Sequence, residues 1–111
     1  MKQIIIVFFI LAFAQRVEAQ NSPAQQVAEK VAGKMMDSLQ LNAMQKTQVY
    51  NINIQLHQRK MAMRQQYSSA DSLTLKIQEV ENTRDSLYSS VLTQQQFNLY
   101  RQKKKWLVSN N

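Results

Sequence analysis

Apolar residues recur at helical spacing along most of this chain, and the densest stretch, Leu41–Tyr67, carries two stripes of them. Advancing about 100° per residue from Val49 brings Val49, Ile52, Leu56, Met63 and Tyr67 onto one stripe. Tyr50, Ile54, His57 and Met61 gather on a second, roughly 120° around the cylinder. A helix packed against one neighbour needs only one stripe. This segment is therefore expected to touch more than its own chain offers, or to leave apolar surface exposed.

The flanking patterns predict three more helices. A first, about Ala24 to Leu39, places Val27, Val31, Met35 and Leu39 on one face. Pro23 suits its first turn, and Gly33 inside it makes it the weakest of the long helices. Asn42 is placed to cap the central helix, with Gln45 answering from the third helical position. Ser68-Ser69-Ala70-Asp71 is the expected turn, Ser68 and Asp71 having capping-box spacing, although a continuous helix stays open there. Beyond it Leu73, Ile77, Val80, Arg84, Leu87 and Val91 form a heptad seam with one arginine in it. Arg84 either lays its stem along the seam with its head in water or meets a carboxylate of a second subunit. Thr93 and Gln96 repeat the cap, with Leu92 stapled on Phe97. The last helix carries Phe97, Tyr100 and Leu107 with Trp106 beside them, and Arg101 and Lys103–Lys105 near its C-terminus suit the helix dipole. The fold predicted is all-α: four helices, two long and two shorter, in an extended helical hairpin.

Composition sets an address. Met1-Lys2, the apolar run Ile4–Ala14 and Val17-Glu18-Ala19 read as a secretory signal cleaved after Ala19. Its apolar run of 11 residues falls short of the roughly 20 that span a bilayer, so no stable membrane insertion is expected. Residues 20–111 then form a single helical domain, with a polar leader at Gln20–Pro23 and a fraying end at Ser109–Asn111. Removing the signal takes the count from 14 basic and 7 acidic residues to 12 and 6, a net charge of +6. The chain has no cysteine. An exported domain this small without disulfides is expected to rely on regular helices and self-association.

No catalytic constellation can be assembled. His57 is the only histidine and reads as a packing or surface residue, so no metal site and no cofactor is expected. Glu79, Glu81 and Asp85 lie among Lys76 and Arg84, as on a solvated charged face, and there is no Gly-rich phosphate cradle. Two features point to binding. Met35, Met36, Met44, Met61 and Met63 are either core filling or adaptable contact surface. Arg59, Lys60 and Arg64 set positive charge beside Met61 and Met63, which suits capture of an acidic or unfolded chain or merely aids solubility. Tyr50 and Ile54 offer an apolar patch. Nucleic-acid binding through Arg101–Lys105 is not expected of an exported protein.

The paired segments Leu41-Asn42-Ala43-Met44-Gln45 and Leu92-Thr93-Gln94-Gln95-Gln96 resemble the paired LTxxQ motifs of the Spy/CpxP-like family of small periplasmic proteins of Gram-negative bacteria. The second matches fully and the first has Asn for Thr. The basic stretch Arg59, Lys60, Arg64 and the Arg84-Asp85 pair add to the resemblance. It implies an antiparallel homodimer forming a thin, curved cradle whose basic, patchily apolar surface holds unfolded envelope proteins without ATP. As the alternative, it implies a regulatory adaptor on the periplasmic domain of an envelope-stress sensor kinase. The zinc-binding branch carries His-rich or Cys-bearing segments, which this chain lacks. The residues expected to meet a client are Tyr50, Ile54, Arg59, Lys60, Met61, Met63 and Arg64; Leu41, Asn42, Gln45, Leu92, Thr93 and Gln96 are expected to set helix starts.

Overall fold

The computed structural model describes residues 22–108. The expected signal segment 1–19, Gln20 and the expected fraying end Ser109–Asn111 lie outside the described residues. Among those described, the chain forms five helical segments and no strand: α1 (Pro23–Leu39), α2 (Ala43–Gln66), α3 (Ala70–Asn82), α4 (Arg84–Ser89) and α5 (Gln94–Val108). Only Thr83 separates α3 from α4, and its backbone stays right-handed helical at φ −81°, ψ −13°. The architecture is thus the expected all-α one of four helices, the third interrupted once.

That interruption has a local cause. The Thr83 amide donates to the carbonyl of Val80 at 3.1 Å, and its hydroxyl donates to the same carbonyl at 2.7 Å. A threonine hydroxyl competing for a backbone acceptor tightens the turn toward 3₁₀ geometry. The seam expected through Leu87 moves with it: Val80, Arg84 and Tyr88 are buried, while Leu87 is half-buried.

Helix starts follow the capping residues. Ser22 accepts from the Gln25 amide at 3.3 Å, so Ser22 and Pro23 open α1 and are not part of a polar leader. At Asn42 a full capping box forms: the Gln45 amide donates to Asn42 Oδ1 at 2.7 Å and the Asn42 amide to Gln45 Oε1 at 3.0 Å. The continuous-helix alternative fails at Tyr67, whose extended backbone (φ −114°, ψ 121°) ends α2. The box expected from Ser68 does not form either, because Ser69 is the N-cap and makes no side-chain bond. Asp71 then sits one position too early for a box and complements the dipole of the first turn.

One core gathers at one end of the molecule. Val31, Ala32, Met35 and Leu39 of α1 meet Leu41, Val49, Tyr88, Leu92, Tyr100 and Leu107, with Tyr50, Ile52 and Phe97 packed against them. Gln40 closes α1 in the left-handed region at φ 57°, and the Leu41 amide reaches back to the Met36 carbonyl at 3.1 Å, a Schellman-type ending. On α2 the first stripe is buried at Val49 and Leu56. There its own chain covers the helix, while farther along the second stripe is left exposed at Met61, the latter of the two expected alternatives. Past Leu56 the cover thins: every residue from His57 to Glu79 keeps at least partial exposure.

Candidate functional site

The molecule divides into a packed base and a two-helix arm, the latter made of the end of α2, the Tyr67–Ser69 turn and most of α3. A buried polar knot lies where they join. Arg84 is 3% exposed, so its head is not in water, and the carboxylate it meets belongs to its own chain. Its Nε donates to Glu81 Oε1 at 2.5 Å and its Nη2 to Glu81 Oε2 at 3.2 Å. Its Nη1 donates to Asn53 Oδ1 at 2.9 Å and to the Tyr88 hydroxyl at 2.9 Å, while that hydroxyl donates to Asn53 Oδ1. Lys60 Nζ lies 2.5 Å from Glu81 Oε2.

Burial alone would raise the Glu81 carboxyl, but hydrogen bonds from Arg84 and Lys60 outweigh it and hold it below the ordinary glutamate range. Burial would lower the Arg84 guanidinium, and its bond to Glu81 keeps it above its usual value instead. Tyr88 is pushed up mainly by burial. Each of these groups has its partners within the knot, so the seam tolerates a cation only because α2 and α3 supply its acceptors.

The two paired motifs meet each other. Gln45 Nε2 donates to Gln96 Oε1 at 2.7 Å and to the Val91 carbonyl at 3.1 Å. Gln96 Nε2 returns both bonds, to Gln45 Oε1 at 3.3 Å and to the Gln40 carbonyl at 3.4 Å. Gln40 and Val91 each precede the leucine of a motif, so the arrangement is near two-fold symmetric. Thr93 completes the second box, accepting from the Gln96 amide at 3.2 Å. Leu41 and Leu92 are buried beneath. The motif residues therefore start helices and also tie the two starts together.

The residues expected to hold a client do not form one face. Tyr50 packs against the core beside Gln25, Gln26 and Glu29 of α1, and Ile54 is half-buried. Arg59 is exposed and donates to Thr83 Oγ1 at 3.3 Å; Lys60 is committed to Glu81. Met61 is 43% exposed, with Arg64 Nη1 3.7 Å from its sulfur. Met63 is half-buried and lies about 160° around α2 from Met61. What sequence reasoning missed on the arm is Leu75, 68% exposed, which the heptad pattern does place off the seam. Lys76 of the same helix sits 5.6 Å over the Tyr67 ring.

A hollow of about 50 Å³ opens between α1 and the polar knot, lined by Val27, Ala28, Asn53, His57, Lys60 and Arg84. That is room for a few waters and far below the volume of a small-molecule site. Among the described residues no group of three His, Cys, Asp or Glu side chains is placed to hold a metal ion. No helix among them is long and apolar enough to cross a membrane. No family model, no curated protein and no solved structure matches the chain.

Proposed function

We propose that the chain is an exported, ATP-independent chaperone-like protein that holds unfolded or stress-exposed polypeptides in the periplasm, with the arm as its contact surface. One observation carries the proposal: over residues 57–79 two helices bury none of their residues, although Met61, Met63, Tyr67, Leu73, Leu75 and Ile77 lie there. A domain has no packing reason to extend such a hairpin beyond its core, and partly exposed apolar side chains beside cations suit weak, adaptable capture. Arg59 and Arg64 supply the charge, since Lys60 is already paired. The polar knot of Arg84, Glu81, Asn53 and Lys60 fixes the arm's root, and the two motifs tie helix starts within the base.

The test is aggregation of a chemically denatured client in the presence of the protein. Near-equimolar protein should suppress light scattering, and replacing Met61 and Leu75 together by Glu should abolish suppression without loss of helicity. A regulatory adaptor would leave aggregation unchanged at these ratios, which would overturn the chaperone proposal.

A further inference from the structure

We propose that the C-terminal turn of α5 is a docking surface for anionic phospholipid, with Trp106 seated in the headgroup layer and lysines on either side meeting phosphates. The helix carries Arg101, Lys103, Lys104 and Lys105 and no acidic residue. Among the described residues only Lys104 of these four makes a salt bridge, at 3.0 Å to Asp85, and Arg101 lies within that carboxylate's field. Lys103 and Lys105 are exposed and have no acidic partner among the described residues. They flank Trp106 at about 60° on one side and 100° on the other.

Trp106 itself is 56% exposed. Lys34 of α1 lies 4.9 Å from its ring centroid and donates to its backbone carbonyl at 2.8 Å. The indole is thus held at a helix end with much of its surface in water and cations around it. An amphipathic ring flanked by basic residues is the combination that partitions to a lipid headgroup layer. Three of the four cations on α5 are lysines, point charges on long stems that follow a plane of mobile phosphates. Recognition of protein carboxylates favours the fixed fork of arginine. The surface is separate from the arm, so this inference stands or falls independently of the proposed function.

Trp106 is the only tryptophan in the chain, which makes its emission a local reporter in the full-length protein. Titration with vesicles of phosphatidylcholine in which phosphatidylglycerol replaces a third of the lipid should shift that emission to the blue. The shift should weaken as salt rises and be absent with phosphatidylcholine alone. The double substitution Lys103→Gln/Lys105→Gln should weaken binding roughly 25-fold, at about fivefold per charge, with unchanged helicity. Trp106→Ala should lose flotation with the anionic vesicles. Any of three results would overturn the proposal: equal emission shifts with both vesicle types, an anionic response unaffected by the double substitution, or release from vesicles by a single-stranded oligonucleotide at equal phosphate. Lys2, Arg16 and the apolar stretch Ile4–Ala14 are common to every variant, so the difference between variants on the same vesicles reports on α5.

Discussion

The base and the arm share a common makeup, helices of Leu, Met, Ile and Gln with scattered lysine and arginine, to which the base adds valine. In the base, α1 lies across α2 and α5 lies across α1, so that Met35, Val49, Tyr88, Tyr100 and Leu107 lose all contact with solvent. In the arm no residue is fully covered, and Met63, Leu73 and Ile77 stay half-exposed. Apolar composition alone therefore does not decide burial; the number of layers does. The contrast teaches that stability resides in one half of the molecule and adaptable surface in the other.

Three measurements sharpen the contrast. The largest effect is expected from a matched pair of methionine truncations. Met35→Ala should cost about 3 kcal/mol in urea denaturation, because it empties a fully enclosed site. Met63→Ala should cost less than about 1 kcal/mol, and equal costs would break the division into base and arm. Next comes Glu81, at the junction. Its depressed carboxyl contributes stability that is fully present above the ordinary carboxyl range, about pH 4. That contribution is lost as pH falls through the lower folded value. Glu81→Gln should cost roughly 2 kcal/mol at neutral pH, by stripping a buried arginine of its charged partner. It should also flatten the acid limb of the stability curve, leaving the part due to Asp85, likewise held low by Tyr100 and Lys104 against the effect of burial. Superimposable acid limbs would show that the junction is not held by this pair. The smallest effect is expected at Gly33, where an added Cβ meets nothing within 4 Å. Gly33→Ala should raise stability by about 0.5–1 kcal/mol, and a loss would mean that α1 sits closer to its neighbours there.

Much of the base was legible in the sequence. Four-residue spacing placed Val31, Met35 and Leu39 on the buried face of α1, and cap chemistry located the starts at Asn42 and Thr93. What escaped was whatever depends on a partner far along the chain. Gln45 and Gln96 each satisfy a local box, and nothing in either motif says that their remaining amide protons cross to the other motif. Arg84 reads as an anomaly in an apolar seam because two of its acceptors, Asn53 on α2 and Tyr88 one turn on, carry no periodic signal. Tyr88 itself lies one position off the heptad. Without Thr83 drawing on the Val80 carbonyl, nothing marks the shift. On the arm, the same spacing rules that found Met61 and Met63 also set them on nearly opposite sides of α2, so their closeness in sequence did not amount to a shared surface.

The mutual glutamine bond has a consequence for how this fold tolerates variation. It joins positions 51 residues apart, and the hairpin it encloses is anchored only at its root. Lengthening such an enclosed segment by two helical turns on each side changes the entropy of closure by only a few tenths of a kcal/mol. Reach is therefore a nearly independent variable: the hairpin can grow or shrink in whole turns, taking its exposed methionines and leucines farther from the root or nearer to it, while the clasp and everything beneath it stay as they are.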